Sequence, residues 1–135
     1  MIPALIRRFH EAKINEQDAV TIWGTGDPIR EFIYVDDLAD ACIFLMRNYN
    51  CSEILNIGNG EEISIKELAY LIKDVVGYNG EIIFDKSKPD GVPRKVLDSS
   101  IIKNMGWKAN ITLQDGIKQT YDWYKNLAEK NITCE

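Results

Sequence analysis

The chain has 135 residues, of which 45% are hydrophobic and 27% charged, and this composition excludes the intrinsically disordered class. A net charge of −5 argues against a general nucleic-acid-binding protein, which usually carries a basic surface. No apolar run approaches the roughly 20 residues that span a bilayer. We therefore expect neither nucleic acid nor a membrane as a partner.

The apolar residues recur with periods that predict alternating helices and strands. The predicted elements, in chain order, are a helix at 2–13, a strand at 20–23, a strand at 31–35, a helix capped by Asp36 or Asp37, a buried strand at 54–57, a helix capped by Ser64 and Glu67 and ended by Gly77, a strand at 81–85, a short helix from Asp98 or Ser99 to Gly106, and a last helix capped by Thr112 and Asp115. This order predicts an α/β or α+β fold.

One unit is expected to span residues 1–135, with a frayed tail after about residue 128. The strands are few and short, and the first helix has no strand before it. Both features suggest a part of a larger enzyme.

The cysteines are odd in number and lack Cys-x-x-Cys spacing, which argues against a disulfide framework or a zinc site. Charged residues near the N-terminus come too early for a secretory signal. A reducing, cytoplasmic location is therefore expected, and no metal.

Most signatures of catalysis or cofactor binding are missing. There is no G-x-G-x-x-G motif and no P-loop, and the turn at 58–60 (Gly-Asn-Gly) has only two glycines, so an ordinary turn is favoured there. Tyr121 and Lys125 match Tyr-x-x-x-Lys, but Tyr121 lies on an apolar helical stripe and is expected to pack in the core. His10 is the only histidine and has no nucleophile in a motif. The sequence therefore predicts no catalytic residue.

What the sequence does contain is a set of anion-binding and stacking side chains near turns. Arginine binds phosphate oxygens in pairs, a tryptophan face stacks on a base or sugar, and a carboxylate accepts hydrogen bonds from hydroxyl groups. Taken singly, each also has an ordinary role as a helix-surface, core, ion-pair or turn residue. The residues concerned are Arg8, Trp23, Arg30, Asp90, Arg94 and Lys95.

Several segments resemble the C-terminal part of the GDP-L-fucose synthases, which are extended short-chain dehydrogenases/reductases. They are I-P-A-L-I-R-R-F-H-E-A (2–12), W-G-T-G-D-P-I-R-E-F-I-Y-V-D-D (23–37), N-I-G-N-G (56–60) and S-K-P-D-G-V-P-R-K (87–95). The second and third are shared among nucleotide-sugar epimerases and dehydratases, whereas the first and last are more specific to the synthases. The resemblance implies a Rossmann-type enzyme, represented here by its substrate-binding lobe and the last segments of its nucleotide-binding domain.

The resemblance also implies an activity and a set of substrate contacts. The family converts GDP-4-keto-6-deoxy-D-mannose to GDP-L-fucose, by epimerisation at C3 and C5 followed by reduction at C4 with NADPH. By this resemblance Arg8, Arg30 and Lys95 contact the diphosphate, Trp23 lines the nucleotide-sugar pocket, and Asp90 binds substrate hydroxyls.

The family's NADPH loop and its catalytic Ser, Tyr, Lys, His and Cys lie upstream of the matched segments. NADPH is therefore expected in the parent enzyme only, and the chain alone is expected to be inactive but to contact a GDP-sugar. Arg94, next to Lys95, stays an alternative diphosphate contact. A stand-alone nucleotide-sugar-binding module, a portion of another nucleotide-sugar epimerase or dehydratase, and a truncated product that associates with a partner also stay open, as does a homo-oligomer.

Overall fold

A computed structural model describes residues 1–132, with side chains up to residue 127. The predicted frayed tail concerns residues whose side chains lie outside this description. The helices and strands are α1 (Ile2–Ile14), β1 (Ala19–Trp23), β2 (Ile29–Glu31), α2 (Val35–Asn48), β3 (Glu62–Ser64), α3 (Ile65–Val76), β4 (Glu81–Asp85), β5 (Arg94–Lys95), α4 (Ser100–Asn104) and α5 (Leu113–Ile132).

The strands form two small sheets among helices, which confirms the α/β class. In the first sheet β1 and β4 are parallel, with Val20 opposite Ile82 and Trp23 opposite Asp85. In the second sheet β2 lies in the middle, antiparallel to β3 and parallel to β5. A parallel pair requires a crossover, and the chain between β1 and β4 supplies it with β2, α2, β3 and α3.

The main core lies between α1, α3, α5 and β1. Helix α1 contributes Leu5, Ile6, Phe9 and Ala12, whose spacing puts them on one face, and all are nearly inaccessible to solvent. Helix α3 presents an equivalent face to the same cluster. A smaller cluster around Ala41, Ile102 and Trp107 joins α2 to α4.

The predicted ends of α3 are confirmed. The Ser64 hydroxyl accepts a hydrogen bond from the Glu67 N–H at 3.1 Å, and the Glu67 carboxylate accepts one from the Ser64 N–H at 3.0 Å. The Ser64 hydroxyl also lies 2.7 Å from the Glu67 carboxylate and donates to it, and this bond, together with the one from the Ser64 N–H, lowers the pKa of Glu67. Gly77 ends the helix in the left-handed region, at φ +68°.

The start of α2 differs from the prediction. Strand β2 covers residues 29–31, and only these residues pair with neighbouring strands, so the predicted strand at 31–35 is wrong. The N-cap of α2 is Tyr34, and its side chain makes no capping bond. The Asp37 carboxylate is instead buried and accepts hydrogen bonds from the N–H groups of Asn110 and Ile111, at 3.1 and 2.9 Å. Asp37 therefore fixes the approach to α5.

The predicted buried strand at 54–57 is also wrong. Within the described residues 1–132 this stretch pairs with no strand, and Ile54 is 94% exposed. An apolar run predicts burial, but a strand forms only where another strand completes its hydrogen bonds.

In the described part of the chain, none of the helices combines the length and the apolar character needed to cross a membrane.

Candidate functional site

A cavity of about 580 Å³ lies between α1, the turn after β1, and the polar loop at 86–93. This volume is in the usual range for small-molecule sites. Its lining includes Arg8, Trp23, Arg30 and Asp90. The fold thus brings together four of the six candidate side chains from the sequence, although they come from three distant segments.

Arg8 is positioned by α1 and by β1. Arg8 lies on α1 beside the core-facing positions, and it is exposed. Its guanidinium donates a hydrogen bond to the backbone carbonyl of Thr21 on β1. Because a guanidinium has several N–H donors, this bond orients the group without using all of them.

Arg30 is held more firmly. Its Nη1 donates to the carbonyls of Ile29 and Val92, at 2.7 and 2.8 Å, and so joins β2 to the polar loop. Nη2 faces Gly91, where an added Cβ would lie 3.2 Å away. Nη1 therefore fixes the position of the Arg30 guanidinium, while Nη2 lies at the cavity wall.

Trp23 ends β1 at the mouth of the cavity. Its side chain is 70% exposed, so the core role considered from the sequence is excluded. The ammonium group of Lys88 lies 5.6 Å from the centre of its ring, which fits a cation–π contact. An exposed indole beside two arginines is suited to stacking on a flat or sugar-like group.

Asp90, in the polar loop at 86–93, binds the turn that follows β1. Its Oδ1 accepts the Thr25 N–H at 2.9 Å, and its Oδ2 accepts the Thr25 hydroxyl at 2.7 Å. Gly24 makes this possible, because its φ is +87° and a Cβ there would overlap the carboxylate. Asp90 therefore has a structural role that the sequence did not show, and it also lines the cavity.

Lys95 lies apart from the other four. It lines a second hollow of about 340 Å³, which shares Arg30 with the first. On the paired strands Lys95 is opposite Arg30, whereas Arg94 is opposite Ile29. The guanidinium of Arg94 binds both carboxylate oxygens of Glu62, and this contact lowers the pKa of Glu62. The geometry thus favours Lys95 over Arg94 as a group available to a ligand.

Tyr121 and Lys125 lie away from the cavity. Tyr121 is buried, as the sequence predicted, and its hydroxyl lies 3.1 Å from Nδ1 of His10. Burial raises the pKa of the Tyr121 phenol, despite the opposing effect of Lys125. A catalytic Tyr–Lys pair needs the opposite, a phenol whose pKa is lowered. This motif match is therefore a packing arrangement.

His10 should make the free energy of unfolding of this chain depend on pH. Partial burial, aided by Lys13, lowers the pKa of His10 below its ordinary value of 6.5. The unfolded chain then binds a proton more readily, so the free energy of unfolding should fall as the pH decreases from about 7.5 to about 5.5. The measurement is urea unfolding across this range. His10→Gln should flatten the dependence, and an unchanged slope in the variant would exclude His10 as its source.

Sequence reasoning missed the residues that organise the site. Thr25 and Glu31 appeared only as parts of a turn and of a possible surface ion pair. In the structure Thr25 anchors Asp90, and the Glu31 carboxylate binds backbone N–H groups of Gly60 and Leu97. Their partners are 29 to 66 residues away along the chain, so no local pattern could indicate them.

The chain is similar to known proteins over most of its length. A model of the NAD-dependent epimerase/dehydratase family matches residues 1–58. GDP-L-fucose synthase 1 of Arabidopsis thaliana is 54% identical over 131 residues, which make up 96% of this chain and 41% of that protein. This chain therefore spans only about 40% of the length of such relatives.

Solved structures show the same similarity. A GDP-mannoheptose C4 reductase from Campylobacter jejuni with NADP bound is 44% identical, with a TM-score of 0.81 over 92% of this chain and 44% of that one. A GDP-L-fucose synthetase from Naegleria fowleri bound to NADP is 27% identical, with a TM-score of 0.87 over 95% of this chain and 40% of that one. Over more than nine-tenths of its length the chain thus resembles the C-terminal part of the GDP-L-fucose synthases.

Proposed function

We propose that this chain is the GDP-sugar-binding portion of an NADPH-dependent epimerase/reductase that converts GDP-4-keto-6-deoxy-D-mannose to GDP-L-fucose. The observation that carries the proposal is the cavity in which two guanidinium groups, an exposed indole and a carboxylate meet. A nucleotide-sugar needs this combination, because it joins a charged diphosphate to a flat base and a polyhydroxylated ring.

Each side chain then has one task. Arg8 and Arg30 bind the diphosphate, with Arg30 pre-oriented by its two carbonyl contacts. Lys95, on the other side of Arg30, adds a third positive charge. Trp23 packs against the nucleotide-sugar, and Asp90 accepts hydrogen bonds from its hydroxyl groups. Together they hold the sugar in place and move no proton.

The turn at 58–60 does not fit a phosphate of NADPH. The turn at 58–60 is the segment most like a phosphate-binding loop, but its Gly60 N–H already donates to the Glu31 carboxylate at 2.5 Å. A carboxylate at this position repels a phosphate. NADPH, which supplies the hydride for the C4 reduction, is therefore assigned to the parent enzyme, and no step in this chain involves it.

Calorimetric titration of the chain with GDP tests the proposal, with UDP, dTDP and NADPH as comparators. We expect GDP to bind and the other three to bind more weakly or not at all. A folded sample that binds no nucleotide would contradict the proposal for this chain. Equal binding of GDP, UDP and dTDP would favour another nucleotide-sugar epimerase or dehydratase.

A stand-alone nucleotide-sugar-binding module is the second candidate, because the whole cavity is built from this chain. Both candidates predict that the chain by itself consumes no NADPH with GDP-4-keto-6-deoxymannose. Consumption of NADPH by the purified chain would refute both. Mixing the chain with the N-terminal part of a relative separates them, since only the first candidate predicts that activity appears.

A further inference from the structure

Glu31 joins the segments on both sides of strand β2. It is the last residue of β2, and each oxygen of its carboxylate accepts one backbone hydrogen bond. Oε1 accepts the Gly60 N–H at 2.5 Å, and Oε2 accepts the Leu97 N–H at 3.0 Å. The first bond fixes the turn before β3, and the second fixes the chain directly after β5.

Strand β5 is short and is anchored before its first residue by the Ile29 N–H, which donates to the Pro93 carbonyl at 2.8 Å, and by Arg30, which donates to Val92 at 2.8 Å. The bond from Leu97 to Glu31 anchors the chain after the strand. The strand has two residues, both exposed, and its register with β2 covers only Ile29 with Arg94 and Arg30 with Lys95. The ion pair between Arg94 and Glu62 is solvent-exposed, and such pairs contribute about 0–1 kcal/mol. A hydrogen bond from a backbone N–H to a half-buried carboxylate is stronger.

We propose that Glu31 is a positioning residue, which holds β5 in register and so places Lys95 beside Arg30 for the diphosphate. The inference rests on the proposed function, since it concerns the same site. Glu31 lines the same hollow as Lys95, but each oxygen of its carboxylate is already bound to a backbone N–H group. Its contribution acts through the backbone at Leu97, two residues after Lys95.

Removing the charge of Glu31 tests the proposal, because a purely electrostatic effect and a positioning role predict opposite changes in GDP affinity. Glu31→Met keeps a side chain of similar length but removes both acceptors and the negative charge. Simple electrostatics predicts tighter binding of the GDP anion after the loss of a negative charge. The positioning role predicts weaker binding, by about tenfold, which is the low end of the loss seen when outer partners of metal ligands are removed. Unchanged or tighter GDP binding would overturn the proposal.

Matched variants show whether the effect passes through Lys95. In a Lys95→Ala background, Glu31→Met should change the GDP affinity by less than about twofold, because coupled residues do not act additively. A full tenfold loss in that background would overturn the proposal. Glu62→Gln also removes a negative charge beside β5, and it should leave GDP affinity within about twofold of the unmodified chain.

Gly58→Ala provides a second variant that leaves Glu31 itself intact. A Cβ at Gly58 would overlap the Glu31 carboxylate, so the carboxylate must move from its two N–H partners. We expect the same direction of effect on GDP binding as in Glu31→Met. Normal GDP affinity in this variant would contradict the positioning role.

Amide hydrogen exchange without ligand tests the positioning role of Glu31 separately from the proposed function. The N–H groups of Gly60 and Leu97 should exchange faster in Glu31→Met than in the unmodified chain, while those of the α3 core keep their protection. Faster exchange with no GDP binding by any variant would mean that the link exists and the proposed function fails. Unchanged exchange at both amides would mean that the positioning inference fails.

Discussion

Arg30→Ala should weaken GDP binding by about 1.5–3 kcal/mol, which corresponds to roughly 10- to 150-fold in Kd. The expected loss is large because Arg30 serves both hollows and is pre-oriented. Its Nη1 is fixed by the carbonyls of Ile29 and Val92, so little side-chain freedom remains to be lost when a phosphate binds. The measurement is calorimetric titration with GDP.

Two controls interpret this result. Arg30→Lys keeps the charge but lacks the planar fork, so it should recover only part of the affinity. Arg7→Ala removes the arginine next to Arg8, whose partner is Glu11 on the exposed side of α1, and it should leave GDP binding unchanged. If Arg30→Ala binds GDP as tightly as the unmodified chain, Arg30 is not part of the site.

Phe9→Ala should lower the free energy of unfolding by about 3–5 kcal/mol. Phe9 is fully buried, packs against Tyr78 with ring centres 5.7 Å apart, and lies where α1 meets α3. Removal of its ring leaves a cavity that the rigid helices cannot close. Urea unfolding followed by circular dichroism measures the change.

The control for this prediction lies on the same helix. Ile14 is 65% exposed, so Ile14→Ala should cost less than about 0.5 kcal/mol. Phe9→Leu, which conserves most of the volume, should lose less than about 1.5 kcal/mol and stays measurable if Phe9→Ala does not fold. Equal losses at Phe9 and Ile14 would show that α1 does not anchor the core.

The sequence predicted elements well where the signal is local. The Ser64–Glu67 box and Gly77 mark the ends of α3, and the spacing of Leu5, Ile6 and Phe9 predicts the buried face of α1. The residues of each signal lie within a few positions of one another, so these signals can be recognised from the sequence alone.

Predictions failed where the deciding partner is remote. The run at 54–57 has the composition of a strand, yet no local feature tells whether another strand lies beside it. Asp37 has the position of a helix cap, but it binds N–H groups 73 and 74 residues further along the chain. The same limit applies to the site, since Asp90 was expected to act on a ligand and its contacts with Thr25 were not foreseen. Side-chain chemistry and the family resemblance indicated which residues could bind a nucleotide-sugar, whereas the contacts that position them are visible only in the structure.

The bridge between Thr25 and Asp90 also bears on how the chain folds. It joins residues 65 positions apart, and the parallel pairing of β1 with β4 spans a similar distance. Contacts of such long sequence separation form slowly, because a long loop must close before any of them is made. Contacts of this kind close the cavity, so we expect it to form late in folding, after these long loops have closed. Any molecule that fills it binds the native state alone, and will raise the unfolding midpoint in proportion to the logarithm of its concentration once the site is saturated.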